Sequence, residues 1–197
     1  MPEEGNRGGT TRDRLLEAAE RILIEQGVHA LTVRRVGAVS ALNATLITYH
    51  FQSISGLLAE LCRLNLDPMV AEWRDLEEAP GFEPLLETWL RPLVRPAAFT
   101  PKGRALIVLD EIAAHGDPQL SAPLLQAMAG IGGRVHAALQ PHLPGLPAHE
   151  LAARLRFIAG AALGPPPRNR MLDPRDGRAP LDSLTHLLAF ATAALRG

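Results

Sequence analysis

The chain has 197 residues, enough for one large or two small domains with a substantial core, and a formal net charge of −1. Its aromatic content of 4 % argues against the stacking platforms that bind single-stranded nucleic acid. No apolar run is long enough to span a membrane and the N-terminus lacks an apolar signal core, so we expect a cytoplasmic protein without a membrane partner.

The single cysteine, Cys62, excludes an internal disulfide and a cysteine-based metal cage. Its apolar helical surroundings predict a buried structural thiol, and a redox switch through a disulfide between subunits is the alternative. No phosphate loop, dinucleotide fingerprint, nucleophile elbow or pair of catalytic carboxylates occurs. The sequence therefore gives no indication of an enzyme and predicts no cofactor.

The chain opens with a Gly-rich, charged stretch, residues 1–9, which is typical of a disordered arm. Thr10 and Asp13 then have the spacing of a capping box, which predicts the start of a first helix. Gly27 is placed to end that helix.

Residues 32–51, TVRRVGAVSALNATLITYHF, predict two short helices joined by a tight turn. Thr32 caps the first helix and Asn43 the second, because each side chain can accept a hydrogen bond from a first-turn amide. The inward side of the second helix consists of Leu46, Ile47 and Phe51. Its outward side consists of Ala44, Thr45, Thr48 and Tyr49. Such a short, uncharged and hydrogen-bonding face suits a helix that enters the DNA major groove.

The charge pattern around these helices supports contact with phosphates. Residues 26–59 contain no acidic side chain, whereas His29, Arg34, Arg35 and His50 all fall there. A surface that meets phosphates should exclude carboxylates. The spacing alone also allows a plain pair of amphipathic helices in an all-α core, with Thr and Asn serving only as caps.

The stretch from Thr10 to Leu61 resembles the DNA-binding domain of TetR/AcrR-type transcriptional repressors. The similarity lies in TRDRLLEAAERILIEQG for the first helix, ALTVRRVGAVSALN for the second helix and turn, ATLITYHF for the recognition helix and FQSISGLLAEL for the start of the fourth. The resemblance implies an all-α fold with a three-helix helix-turn-helix domain, residues 10–66, and a helical ligand-binding and dimerisation domain, residues 67–197. It also implies a homodimer on a pseudo-palindromic operator in double-stranded DNA, acting as a repressor that a small-molecule effector releases. The predicted DNA-binding residues are Thr32, Arg34, Arg35, Asn43, Ala44, Thr45, Thr48, Tyr49 and His50.

Four positions depart from the family pattern. Ile54 stands where Lys is usual, Thr48 where Tyr is common, and Ala41 replaces the usual turn glycine. Gly37 lies inside the second helix, where Gly costs up to about 1 kcal/mol relative to Ala. The alternative function is therefore a helical ligand-binding or interaction module of the same fold that has lost specific DNA binding.

The rest of the chain predicts further helices. We expect a long helix over residues 56–78 that Pro68 bends or breaks, a Pro-interrupted helix over residues 82–98, and a helix over residues 101–115 with Pro101 in its first turn. Residues 118–142 predict a long helix or a broken pair of helices, and GIGG, at 130–133, indicates close helix packing or a kink. Residues 148–164 form the next helix, and residues 165–180 a surface loop.

The last helix, residues 180–196, has two apolar sides. One side would meet its own domain and the other a second subunit, so we expect a two-fold dimer through the last two helices of each chain. The predicted interface residues are Leu151, Leu155, Ile158, Leu184, Leu188, Ala191 and Leu195. A monomer with a fully buried terminal helix is the alternative.

Two groups of side chains resemble metal ligands. The spacing of His136, His142 and His149 does not place them on one helical face, so we predict no metal there. Asp110, Glu111 and His115 are closer to a helical ligand set, since Glu111 and His115 share a face. They could coordinate a metal or orient a polar effector, and a plain surface or lining pair is the simpler interpretation. An effector pocket should lie among the C-terminal helices and take an apolar or weakly polar molecule. Its candidate walls are Trp73, Trp89, Leu93, Phe99, Ile107, Met128 and Phe157.

Overall fold

The computed structural model describes residues 10–164 and 183–197, which form an all-α protein as the sequence predicts. The predicted arm, the predicted loop and the first residues of the predicted last helix lie outside these ranges. The helices are α1 (Thr11–Gln26), α2 (Val33–Ser40), α3 (Thr45–Phe51), α4 (Ile54–Glu72), α5 (Phe82–Leu90), α6 (Ala105–His115), α7 (Pro118–Leu139), α8 (Ala148–Leu163) and α9 (Leu184–Arg196). Within the described ranges the only β-type pairing is an isolated bridge between Pro96 and Arg104, and none of the helices has the length and hydropathy of a membrane span.

Local capping signals set the start of the N-terminal helices. The Thr10 hydroxyl accepts the Asp13 N–H at 3.2 Å, and the Asp13 carboxylate accepts the Thr10 N–H at 3.1 Å, which is the predicted capping box. α1 ends at Gly27, whose φ of 81° is a conformation that glycine adopts readily. Ser53 starts α4 by accepting the N–H of Gly56.

α4 runs to Glu72 and continues through Pro68. The prediction that this proline breaks the helix is therefore wrong. A proline removes one N–H donor from the helix, but buried contacts on either side can hold the turn. Asn65 and Met69 flank Pro68 on the buried side, and Trp73, fully buried, follows at the C-cap. The helix ends at Glu72 and not at the predicted residue 78, and a 3₁₀ turn, Leu76–Glu78, follows it.

The segment between α5 and α6 is a loop where the sequence predicts helix. α5 stops at Leu90, and a 3₁₀ turn follows over Arg91–Val94. The Ala97 N–H donates to the Gly103 carbonyl at 3.0 Å and the Ala105 N–H to the Arg95 carbonyl at 3.0 Å, which closes a loop over residues 95–105. Pro101 lies in that loop and not in the first turn of α6, so the predicted start of the helix is wrong.

α7 is continuous from Pro118 to Leu139, so the alternative of a broken pair of helices is wrong, and close helix packing at the GIGG segment is wrong as well. A Cβ atom added at Gly130, Gly132 or Gly133 would meet no atom within 4 Å. These glycines therefore border open space instead of a neighbouring helix.

A single hydrophobic core joins the two ends of the protein. α1 packs on α2 and α6, α4 packs on α6, and α7 also packs on α6. α9 packs against α5 and α8. Of the helices at the predicted DNA-binding end, α1 and α4 therefore pack directly on α6.

The outward faces of α8 and α9 differ from the predicted interface. Five of the predicted interface residues are buried within the protomer and two are partly buried there. The prediction for α9 could not decide between its two apolar sides, since each was a plausible core face. The five are Leu151, Leu155, Ile158, Ala191 and Leu195, and the two are Leu184 and Leu188. Phe157 and Phe190 point outward instead, 74 % and 49 % exposed. Since Phe190 is half exposed, α9 is not a fully buried terminal helix.

Candidate nucleic-acid interface and internal cavity

Side-chain hydrogen bonds fix the start of α2 and the turn before α3. Thr32 is the N-cap of α2 as predicted, whereas the N-cap of α3 is Ala44 and not the predicted Asn43. The Thr32 hydroxyl accepts the Arg35 N–H at 3.2 Å at the start of α2. The Asn43 side-chain oxygen accepts both the N–H and the hydroxyl of Thr45, at 3.0 and 2.9 Å. Both side chains accept hydrogen bonds from first-turn amides that would otherwise be unpaired.

One side of α3 is open to solvent and uncharged. Thr45, Thr48 and Tyr49 are exposed, and Tyr49 has 80 % of its surface accessible. The His50 ring meets the Tyr49 ring edge-on at a centroid distance of 4.9 Å, which restricts the tyrosine. A large exposed aromatic beside two hydroxyls is what a base- or phosphate-reading helix presents to DNA.

The opposite side of α3 holds the helix to the domain. Ile47 and Phe51 are buried and Leu46 is partly buried. Ala44 is partly buried and Asn43 is exposed at the turn. Thr32, Arg34 and Arg35 of the neighbouring helix are exposed, and Arg35 donates to the Gln26 side chain at 3.3 Å.

The turn contains a left-handed residue and a close approach. Ala41 has φ 55° and ψ 37°, the left-handed region that is unfavourable for a residue with a Cβ atom. A Cβ at Gly37 would lie 3.1 Å from the Leu42 carbonyl oxygen and 3.2 Å from the Ala44 Cβ. Gly37 is therefore explained by the tight contact between α2 and the turn.

The sequence does not reveal the arginines that hold α2 from outside. Arg14 donates to the Ser40 carbonyl at 2.9 Å and Arg21 to the Val39 carbonyl at 3.4 Å. These carbonyls at the end of α2 have no partner inside the helix. The two arginines lie seven residues apart on α1, a spacing that marks one helical face but does not identify what that face contacts.

Arg12 and Glu60 lie at the C-terminal end of α3 and hold it against α1 and α4. Arg12 forms an ion pair with Glu60 at 2.7 Å and lies 5.2 Å from the centre of the Phe51 ring. Arg63 also pairs with Glu60, at 2.8 Å. The hydrogen bonds from Arg63 and Arg12 lower the pKa of Glu60 to about 2. Gly56 completes this junction, because a Cβ there would overlap the Phe51 carbonyl oxygen.

A buried polar network connects α1, α4 and the loop before α6. The carboxylate of Glu20, fully buried, accepts the Asn65 side-chain N–H at 2.9 Å and the Phe99 N–H at 2.7 Å. The Asn65 side-chain oxygen accepts the Ala98 N–H at 3.1 Å. Buried polar groups need such partners, so the loop is fixed to both helices.

A second link joins α6 to the end of α1. The Glu111 carboxylate accepts the Val28 N–H at 3.2 Å, and the His115 and His29 rings lie 5.3 Å apart. Glu111 therefore has a structural partner. Among the described residues no group of three His, Cys, Asp or Glu side chains is arranged to bind a metal ion. His136 contacts the Ala148 carbonyl at 2.9 Å.

A cavity of about 470 Å³ opens among the C-terminal helices. Four predicted wall residues line it: Trp73, Trp89, Leu93 and Met128. The other predicted wall residues do not: Ile107 is buried, Phe99 is partly buried beside the Glu20 network, and Phe157 faces outward. The remaining lining residues are Ala129, Ile131, Gly132, Gly133, Val135, His136, Ala152, Leu155, Arg156 and Ala159.

Two family profiles match the chain. The N-terminal profile, described as bacterial regulatory proteins of the tetR family, matches residues 15–61, which span most of α1 through the first turns of α4. The profile described as a tetracyclin repressor-like C-terminal domain matches residues 87–194, more than half of the chain. The chain belongs to the tetR family. The α2–α3 pair is accordingly the helix-turn-helix of a TetR-family transcriptional regulator.

Solved structures of TetR-family and other regulators share the fold. The TetR-family regulator PfmR from Thermus thermophilus superposes with a TM-score of 0.69 at 19 % identity, over 96 % of this chain and 97 % of that one. A probable transcriptional regulatory protein, RHA5900, gives a TM-score of 0.66 at 18 % identity, over 94 % and 97 % of the two chains. GusR of Salmonella enterica gives 0.55 at 19 % identity, over 99 % and 100 %. No curated protein matches in sequence. At these identities the likeness establishes the fold alone.

Proposed function

We propose that this TetR-family chain is a cytoplasmic, homodimeric repressor that binds a pseudo-palindromic operator and is released by a small molecule. Its DNA-binding domain would comprise residues 10–66, and its ligand-binding and dimerisation domain residues 67–197. The observation that carries the proposal is the exposed, uncharged face of α3, with Thr45, Thr48 and Tyr49, inside a stretch without carboxylates. Arg34 and Arg35 of α2 are also exposed and would meet phosphates.

The links between α6 and the DNA-binding domain suggest how an effector would act. Glu111 and the Glu20–Asn65 network tie α1 and α4 to α6 and its preceding loop, and α7 packs on α6 and also lines the cavity. A ligand that favours another position of α6 or α7 would therefore change the spacing of the two DNA-binding domains, so that they no longer fit successive major grooves. Such a ligand must bind the DNA-incompetent state more tightly, because only differential affinity shifts the equilibrium.

The DNA-binding part is tested by selecting genomic duplex fragments with the purified, ligand-free protein. We expect a short palindrome whose affinity falls as salt rises, since phosphate contacts release counterions. The double variant Thr48→Ala, Tyr49→Ala should then reduce operator affinity at least tenfold, because lost base and phosphate contacts cost roughly 1–3 kcal/mol each.

The control for that variant is Gln126→Ala, an exposed side chain on α7 that should leave operator affinity unchanged. If the double variant retains full affinity while its oligomeric state is unchanged, the proposed recognition face is refuted. If a verified ligand-free dimer selects no sequence at all, the module that has lost specific DNA binding becomes the better account.

The dimer would form through the outward faces of α8 and α9. Phe157 and Phe190 are the large exposed apolar side chains there, with Gly160, Ala161 and Ala193 exposed beside them. Small residues next to exposed aromatic rings permit close approach of two helix pairs, and exposed apolar surface of this kind marks an interaction site. A dimer through these faces would present two copies of α3 to successive major grooves.

The variants Phe157→Glu and Phe190→Glu test the dimer, because each places a charge where the partner would bury an aromatic ring. We expect them to be monomeric, by light scattering, at concentrations where the unaltered protein is dimeric. Leu125→Glu is the matched control, since Leu125 is 53 % exposed but lies on α7. Dimers of unchanged stability in both Phe variants would rule out this interface.

A further inference from the structure

We propose that the effector is an amphipathic carboxylate, with an apolar body against Trp73 and Trp89 and a carboxylate group paired with Arg156. This inference rests on the proposed function, because it concerns the molecule that the effector domain would bind. It departs from the expectation of an apolar or weakly polar ligand, since the cavity contains a cation that the sequence did not place there.

The cavity exists because side chains are missing from two of its walls. α7 contributes Ala129, Gly132 and Gly133, and α8 contributes Ala152 and Ala159. A Cβ atom at either glycine would meet nothing within 4 Å, so this wall is open space instead of a tight helix contact. The volume of about 470 Å³ is that of a small-molecule site, for which roughly 300–1,000 Å³ is usual.

The deep side of the cavity is aromatic and apolar. Trp73 and Trp89 are buried and adjacent, because the Trp73 indole N–H donates to the Trp89 carbonyl at 2.9 Å. Leu93 and Met128 lie in the same lining. These side chains favour a hydrocarbon or aryl body, whose transfer from water would bury apolar surface.

The polar groups that remain unused in the lining are hydrogen-bond donors. Within the part of the chain that the structure describes, Arg156 is exposed and has no hydrogen-bond or ion-pair partner, and the indole N–H of the buried Trp89 has none either. None of the described lining residues is Asp or Glu, and Arg156 is the only one with a permanent charge.

The positive charge and the unpaired N–H donors therefore favour a ligand whose polar end is an anion. An arginine binds a carboxylate through two parallel N–H···O bonds, which gives both strength and orientation. A cationic ligand would meet Arg156 without a carboxylate to offset the repulsion. A neutral apolar ligand would offer no acceptor to either donor, whereas an anion with two acceptor oxygens can pair with the exposed Arg156 guanidinium at the edge of the lining.

The experiment compares matched acids and amides on the full-length protein without DNA. The probes are decanoate with decanamide, and 4-phenylbutyrate with 4-phenylbutanamide, because each pair differs only at the polar end. The chain has two tryptophans and both line the cavity, so their fluorescence reports occupancy, and calorimetry supplies the affinity. We expect the acids to bind at least tenfold more tightly than the amides.

Two pairs of variants locate the effect. Arg156→Gln should lower acid affinity at least tenfold and leave amide affinity nearly unchanged, whereas Arg74→Gln, an exposed arginine outside the lining, should change neither. Gly133→Leu should block every probe by filling the cavity. Gly130→Leu is its control, since a Cβ at Gly130 also meets open space but that residue does not line the cavity.

Several results would overturn the inference. Equal binding of acid and amide, with both lost in Gly133→Leu, would leave the cavity as a ligand site but refute the carboxylate. A preference for acids that survives Arg156→Gln would refute the role of Arg156. No binding of any acid at millimolar concentration would refute the ligand class. Operator selection by the ligand-free protein is measured separately, so failure here is distinct from failure of the proposed function.

Discussion

Ala41 is held in the left-handed region of backbone space between α2 and α3. A Cβ atom there crowds the following carbonyl, and glycine avoids this at a smaller entropic cost. We therefore expect Ala41→Gly to raise the free energy of unfolding by roughly 1 kcal/mol, measured by urea denaturation.

Ala38→Gly supplies the control for this substitution. Ala38 is exposed in the interior of α2, where glycine costs up to about 1 kcal/mol relative to alanine. The two substitutions should thus change stability in opposite directions. If Ala41→Gly destabilises the protein as much as Ala38→Gly does, the turn does not hold the left-handed conformation in solution.

At the scale of single residues, the sequence predicts a residue's structural role well when its contacts are close along the chain. The caps at Thr10 and Thr32 were readable because a capping residue and its target amide lie within three positions along the chain. Gly37 was not, since its close contacts are Leu42 and Ala44, and only the folded turn brings them near. The same is true of Arg14, whose carbonyl partner lies 26 residues away.

At the scale of helices, the Asn65 side chain joins α4 to both α1 and the loop before α6. Asn65→Ala leaves the buried Glu20 carboxylate without its side-chain donor, and an unsatisfied buried group costs roughly 1–3 kcal/mol. We expect a loss of stability of that order, with faster hydrogen exchange at the Ala98 amide.

The comparison variant is Gln126→Ala, whose exposed side chain should change stability by less than about 0.5 kcal/mol. Hydrogen exchange separates a local effect from a global one, since only the former speeds exchange at Ala98 selectively. An Asn65→Ala protein with unaltered stability and exchange would mean that the network does not hold the loop.

The sequence predicted the presence of most helices but not which way the last two face. α9 has apolar residues around much of its circumference, so the side of Leu188 and the side of Phe190 were both plausible core faces. Packing against α5 and α8 decides between them, and that information is not local. Pro68 is a similar case, because buried neighbours keep α4 helical where local propensity favours a break.

At the scale of the whole molecule, ion pairs join separate helices and make stability depend on pH. The Glu60 carboxyl, paired with Arg12 of α1 and Arg63 of α4, has its pKa lowered from 4.5 to about 2. Because the folded value is the lower one, this contribution to stability is present above about pH 4.5. It is lost as the pH falls from there towards about 2.

Urea denaturation of the unaltered protein and of Glu60→Gln at a series of pH values tests this dependence. We expect the stability difference between them to be largest at neutral pH and to shrink below about pH 4.5. Glu17→Gln is the control, since Glu17 is an exposed carboxylate on α1 without an ion-pair partner in the described ranges. A difference that stays constant from pH 7 to pH 3 would contradict the lowered pKa.

The open wall of the cavity also affects how this protein can diverge. Leu124 and Leu139 anchor α7 in the core, whereas Gly132 and Gly133 on the same helix leave room for almost any side chain. A mutation at either glycine changes the shape of the cavity without disturbing the core, and it gains helix propensity as well. The shape of the proposed effector site can therefore change through single substitutions that do not lower stability, so the ligand specificity of such a site could diverge without compensating mutations.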